Sequence, residues 1–267
     1  MQTELRILTD TLRIAGARAL ELSNRGFEVH TKRDRSPVTT ADLEVNRILS
    51  EMQRKHFPDD GWLSEESPDD QLRLGKNRLW IVDPIDGTKA FVNRIPEFCI
   101  SVGLIEGCRP VLGAIFNPST DELFTAMRGQ GLWLNGHPLI PSPPSDGIPL
   151  VTVSPWEFRN GRWNGLEALV QCRPMLSIAY ALSQVAAGRV QATLTIEPEN
   201  EWDLAAGVLL IEESGGRVAD AEGRGFVFNQ PIPRFHGVVA VAATANRELH
   251  PLLQSHATRA RGARKAS

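Results

Sequence analysis

The segment Trp80-Ile81-Val82-Asp83-Pro84-Ile85-Asp86-Gly87-Thr88 holds the most chemically suggestive spacing in the chain. A short apolar run ends in two acids three positions apart. Pro84 stiffens the turn between them, and Gly87 permits close backbone approach or an unusual dihedral. Thr88 then opens a short helix. Carboxylates are the hard oxygen ligands that suit magnesium, and the unpaired amides of a helix start are a seat for phosphate oxygens. One turn can therefore hold both a metal and the phosphate it activates. Taken alone, the same residues also fit an ordinary strand-to-turn with solvated acids.

Two distant segments add acids. Ser64-Glu65-Glu66-Ser67 follows a glycine-containing turn, and Glu201-Trp202-Asp203 stands at the start of a helix far along the chain. Each has a plainer reading: Asp203 as a helix N-cap, Glu66 as a surface acid. Gathering such acids without a cation is nevertheless costly, because like charges at short range repel.

The elements that must carry these residues are legible in outline. Leu5, Leu8, Leu12, Ala15, Ala19 and Leu22 step by three and four, one face of an amphipathic helix over 4–23. A second helix is expected over 42–56, ended by Phe57-Pro58-Asp59-Asp60-Gly61. Leu79 to Val82 reads as a buried strand, and 98–105, 111–116 and 122–127 as a strand meander. Further helices are expected over 177–187 and 203–214, each closed by glycine, and a late strand over 238–243. Helices alternating with strand runs indicate layered α/β (α+β) architecture. The Pro-, Ser- and Gly-rich stretch 141–149 reads as a connection between two subdomains, residues 1–140 with the acidic turn and 150–256 with Asp203. Residues 257–267, basic, small and polar, read as a solvated, disordered tail.

Composition bounds the function. With 267 residues, 42% hydrophobic and 23% charged, the chain is long enough for a sizeable core and ordinary for a globular enzyme. A net charge of −3 supplies no field for nucleic acid or anionic membrane, and no apolar stretch approaches a membrane span. The first residues lack the basic-then-apolar pattern of a secretory signal. Cys99, Cys108 and Cys172 are odd in number without CxxC spacing, against a disulfide framework or a zinc site. A reducing, cytoplasmic setting is expected. His30, His56, His137, His236, His250 and His256 show no paired metal spacing.

On Thr39-Thr40-Ala41-Asp42, Ser64-Glu65-Glu66-Ser67, Asp83-Pro84-Ile85-Asp86-Gly87-Thr88 and Trp202-Asp203-Leu204-Ala205-Ala206-Gly207 running into Gly215-Gly216, the chain resembles the inositol monophosphatase superfamily over nearly its whole length. The resemblance implies a layered α-β-α-β-α sandwich, a lithium-sensitive phosphomonoesterase using two to three Mg2+ ions, and a homodimer. It implies that Glu65, Asp83 and the Ile85 carbonyl hold one metal, and that Asp83, Asp86 and Asp203 hold a second. Glu65 would help position a third ion. Asp42 would hydrogen-bond Thr88, which orients the attacking water, and the Gly87 and Thr88 amides would cradle the phosphate of a small soluble metabolite. No covalent enzyme intermediate is required in such a scheme.

A haloacid-dehalogenase-type phosphatase would show Asp-x-Asp-Gly-Thr after the strand; here the first acid lies one residue too early. A non-catalytic regulator keeping the fold should have lost an acid, yet all are present. Among branches, Thr88-Lys89-Ala90-Phe91, Ser64-Glu65-Glu66 and the acid at Glu201 lean towards 3′(2′),5′-bisphosphate nucleotidase. Inositol-1-monophosphatase and histidinol phosphatase are the alternatives. Where the inositol branch places a sugar-binding glutamate, this chain aligns Thr195, with Glu197 near. Lys89 could meet a second phosphate, and Ser177 and Tyr180 could line the leaving-group pocket.

Overall fold

The computed structural model describes residues 1–32, 36–142 and 147–265, with side chains to 261. In chain order the elements are α1 (Gln2–Arg25), β1 (Val29–Thr31), β2 (Pro37–Thr39), α2 (Thr40–His56), β3 (Gly61–Ser64), β4 (Arg78–Asp86), α3 (Thr88–Val92), β5 (Cys99–Glu106), β6 (Arg109–Asn117), β7 (Glu122–Met127), β8 (Leu132–Leu134) and β9 (His137–Pro138). There follow β10 (Leu150–Val153), α4 (Pro155–Arg159), β11 (Gln171–Pro174), α5 (Ile178–Ala186), β12 (Ala192–Thr195), β13 (Glu199–Asn200), α6 (Glu201–Glu213), β14 (Arg217–Ala219), β15 (Arg234–Phe235), β16 (Val238–Val241) and α7 (Leu249–Lys265).

Strands β3 to β9 form a seven-stranded sheet in sequence order, parallel between β3 and β4 and antiparallel thereafter. A second, five-stranded sheet runs β11-β10-β12-β16-β14 with mixed pairing. Helices α1 and α2 cover one face of the larger sheet, where Leu8, Leu12, Val45 and Leu49 meet Trp80, Val82 and Val102. Helices α5 and α6 fill the space between the sheets, and α7 covers the outer face of the smaller one with Leu249, Leu253 and Ala257. The layers thus alternate α-β-α-β-α, as the resemblance implies.

Position in the sandwich explains composition. Residues Leu204 to Ile211 of α6 are all buried, because this helix faces a sheet on one side and α5 on the other. A helix apolar all round belongs in such a place. Its small residues set the spacing. A Cβ at Gly103 would lie 2.8 Å from the Ala205 Cβ, and one at Gly113 would lie 2.9 Å from the Ala206 carbonyl oxygen. Bare sheet backbone therefore lets α6 sit low, which sets the depth of Asp203 at its first turn.

One expectation is corrected. Residues 257–265, read as the start of a disordered tail, continue α7. The apolar stripe Leu249, Leu253 and Ala257 anchors this helix on the smaller sheet and carries the basic residues after it. The 141–149 connection falls partly outside the described residues. Among the described residues no helix is long and apolar enough to cross a membrane.

Candidate active site

Strand alternation alone would set Asp83 and Asp86 on opposite faces of the sheet, since they are three residues apart. Along β4, Leu79 and Ile81 face the inter-sheet core while Trp80 and Val82 face α1 and α2. Ile85 nonetheless packs on the α1/α2 side, so the parity has flipped. The cause is a register shift against β5 between Asp83 and Asp86, around Pro84. Such irregularities re-aim side chains near active sites. Here the shift turns both carboxylates into one cavity.

Asp203 enters from the first turn of α6. Oxygens of Asp83, Asp86 and Asp203, all three buried, lie within 4.8 Å of one another. Each is held by local bonds. The Ile85 amide donates to Asp83 Oδ1 at 3.0 Å, and the Asn200 amide donates to Asp203 Oδ2 at 2.6 Å. The Ser177 hydroxyl and the Ala179 amide donate to Asp86 Oδ2 at 2.5 and 2.6 Å. No ion pair reaches these three acids among the described residues. Burial, and then the charges of Glu65 and Asp86, raise the Asp83 pKa well above the ordinary range. Burial first, with Asp86 next, does the same for Asp203. Asp86 is pushed up by burial to about 6, although its hydrogen bonds oppose the change. Three buried acids with no counter-charge suit a hard divalent cation.

Glu65 borders the same cavity, just past β3, with Gly87, Thr88 and Lys89. Lys32 Nζ donates to Glu65 Oε1 at 2.7 Å and to Glu66 Oε1 at 2.5 Å. Burial, only partly offset by this lysine, pushes Glu66 to about 7. Asp42 arrives from the first turn of α2, where Oδ2 accepts from the Thr39 amide at 2.8 Å in a capping box. Its Oδ1 lies 3.1 Å from the Thr88 hydroxyl, which is also 3.1 Å from the Ile85 carbonyl oxygen. Gly87 has φ +90°, and a Cβ there would lie 2.8 Å from the Glu97 carbonyl oxygen, so only glycine fits the turn. Lys89 is exposed at the rim.

Behind the acids lies a cavity of about 170 Å3 lined by Val153, Ser154, Met175, Ser177, Thr195 and Glu199, among others. Ser177 does line it, but its hydroxyl is committed to Asp86. Tyr180 is not in its lining; its hydroxyl donates to Glu122 at 2.8 Å. Two acids escaped the sequence reading. Glu199 lines the cavity, and burial followed by the Asp203 charge raises its pKa well above normal. Fully buried Glu157 accepts the Thr195 hydroxyl at 3.0 Å and the Ile196 and Glu197 amides at 2.7 and 3.0 Å, fixing the wall that carries Thr195. The acid-rich run Glu197-Pro198-Glu199 was the available signal for Glu199; Pro155-Trp156-Glu157 offered none for Glu157. Glu201 does not face the cavity lining: its oxygens accept the Asn229 and Gln230 amides, both at 2.8 Å.

The Inositol monophosphatase family pattern matches residues 1–261. An inositol-1-monophosphatase of Rhizobium meliloti is 38% identical over 214 residues, covering 75% of this chain and 78% of its own. The Bacillus subtilis inositol-1-monophosphatase is 33% identical over 226 residues, covering 81% and 85%. Among solved structures, a Thermotoga maritima IMPase superposes with a TM-score of 0.83 at 27% identity over 97% of both chains. The chain therefore belongs to the inositol monophosphatase family of metal-dependent phosphomonoesterases.

Proposed function

We propose that the protein hydrolyses the phosphate monoester of a small, hydroxyl-rich metabolite, inositol 1-phosphate being the leading candidate, at a magnesium site formed by Glu65, Asp83, the Ile85 carbonyl, Asp86 and Asp203. The observation that carries the substrate reading is the lining of the 170 Å3 cavity: hydroxyls of Ser154, Thr193 and Thr195, the carboxylates of Asp86, Glu199 and Asp203, and apolar walls, with no lysine or arginine among the described residues. Such a lining suits uncharged hydroxyl groups. It is also below the roughly 300–1,000 Å3 of clefts that bury larger ligands. The names of the similar curated proteins point the same way.

When bound, magnesium supplies Lewis acidity and neutralises phosphate charge. The chain's own groups do the rest. Gly87 and Thr88 amides receive phosphate oxygens at the start of α3. Thr88, linked to Asp42, orients the attacking water in line with the phosphorus. Asp86, held by Ser177, and Asp203 face the leaving-group side.

A bisphosphate nucleotide remains the second reading, because exposed Lys89 stands at the rim beside Glu65 and Thr88 and could take a second phosphate. Phosphate release with magnesium from inositol 1-phosphate, adenosine 3′,5′-bisphosphate, histidinol phosphate and fructose 1,6-bisphosphate separates them. We expect kcat/KM to favour inositol 1-phosphate by tenfold or more. A preference for the bisphosphate would overturn the leaving-group assignment and leave the metal site untouched.

Thr88→Val should lower kcat roughly a hundredfold, the scale of a lost proton-handling group, with KM changed little and Thr88→Ser restoring most of it. A fall confined to KM would assign Thr88 to binding alone.

A further inference from the structure

Arg73 is an arginine with 1% of its surface exposed, in the turn Leu72–Gly75 that follows the Glu65 loop. Burying a guanidinium is expensive unless its donors are matched. Here they are. Nε and NH2 form a fork on the Asp69 carboxylate at 3.0 and 2.8 Å. NH1 donates to Asn229 Oδ1 at 2.8 Å, and NH2 also donates to the Gln230 carbonyl oxygen at 2.9 Å. The Asn229 side-chain amide returns a bond to the Arg73 carbonyl oxygen at 3.2 Å. Asn229 holds a left-handed φ of +64°, which turns its backbone amide and that of Gln230 onto the two oxygens of Glu201. Glu201 is itself fully buried at the first position of α6, and its own amide donates to the Pro233 carbonyl oxygen at 2.9 Å.

The bonds form one continuous path. It starts four residues after Glu65, crosses Arg73 and the 229–230 turn, and ends two residues before Asp203. Its two ends belong to segments 130 or so residues apart in sequence that must supply carboxylates to one cavity. Nothing in the phosphatase reading uses Arg73, Asn229 or Glu201, none of which lines either cavity beside the acids.

We propose that the Asp69–Arg73–Asn229/Gln230–Glu201 network is a positioning device that holds the start of α6, and with it the Asp203 carboxylate, in register with Glu65, Asp83 and Asp86. The inference rests on Asp203 being a metal ligand. An arginine suits the task because its planar fork fixes distances along two directions at once, which a lysine cannot do. Partners lying behind ligands typically change metal affinity by roughly 10–100-fold when removed.

The test is a titration of the full chain with Mn2+, read by the EPR signal of free ion, beside activity as a function of magnesium. Asp203→Asn first checks the ligand reading and should weaken Mn2+ binding strongly. Arg73→Lys keeps the charge and breaks the fork. Asn229→Gly removes the Arg73 acceptor while tolerating the left-handed φ, and serves should Arg73→Lys fail to fold. Leu253→Ala, in the outer core under α7, lowers stability at a distance from the network. We expect Arg73→Lys and Asn229→Gly to weaken Mn2+ binding about tenfold and to raise the half-saturating magnesium equally. Their kcat at saturating magnesium should stay within a few-fold of the parent, and Leu253→Ala should bind Mn2+ normally. If Asp203→Asn weakens binding but both network variants bind like the parent, the network is only a fold element and the inference fails. If Asp203→Asn binds like the parent, the ligand reading itself falls.

Discussion

Replacing Asp86 by asparagine is expected to lower kcat/KM by about a thousandfold or more while the protein stays folded, because a several-kcal/mol contribution from charge stabilisation is removed. The geometry makes this a clean substitution. Both local bonds to Asp86 use Oδ2, from the Ser177 hydroxyl and the Ala179 amide. An asparagine can place its carbonyl oxygen there and keep both. Its amide nitrogen then takes the place of Oδ1 and presents donors where a cation needs an acceptor. Circular dichroism should show an unchanged fold, and phosphate release should be near background. Turnover within tenfold of the parent would remove Asp86 from the metal site.

The metal-free protein should lose stability as pH rises from about 4 to above 6, and magnesium should restore it. In an unfolded chain aspartate titrates near 3.9; in this fold burial holds Asp86 near about 6, with Asp83 and Asp203 also raised. Between those values the folded state binds the proton more tightly. The stabilisation is therefore complete below the unfolded value and is lost as pH climbs through the folded one. Two pKa units on one group correspond to about 2–3 kcal/mol, or roughly 5–10 °C in Tm for a chain of this size. Because pH 5 already lies above the unfolded value, melting the chelator-treated protein at pH 5 and pH 8 reads about half of the Asp86 contribution. Asp86→Asn should reduce the difference without abolishing it, since Glu66 and the other buried acids are raised too, and magnesium at pH 8 should raise Tm. A metal-free Tm equal at both pH values would contradict the clustering of the acids.

Residues whose spacing encodes local geometry were legible in the sequence. The strand leading to Asp83, the helix that carries Asp203 and the amphipathic face of α1 are all present as expected, although the strand runs on to Asp86 and the helix begins two residues earlier, at Glu201, with Asn200 rather than Asp203 as its N-cap. What was hidden depends on contacts distant in the chain. Strand alternation gives no warning that Asp83 and Asp86 share a face; the register shift against β5 does that. Glu157 has no local mark because its partners are some 40 positions away. Glu201 looked like a substrate cue because it neighbours Trp202-Asp203, whereas it is consumed by the 229–230 turn. The helix α7 was obscured by its basic end, although Leu249, Leu253 and Ala257 already lay four apart.

Four of the acids gathered here have one oxygen tied down by a backbone amide before any ion arrives. Asp83 is held by the Ile85 amide, Asp86 by that of Ala179, Asp203 by that of Asn200, and Asp42 by that of Thr39. Four backbone amides thus freeze four side chains whose rotamer entropy would otherwise be lost on binding. Loading and stripping the site then need no rearrangement of these four side chains. The speed of reactivation after chelation should be limited by how reluctantly magnesium sheds its water, so activity should return in a single fast phase with no lag for refolding.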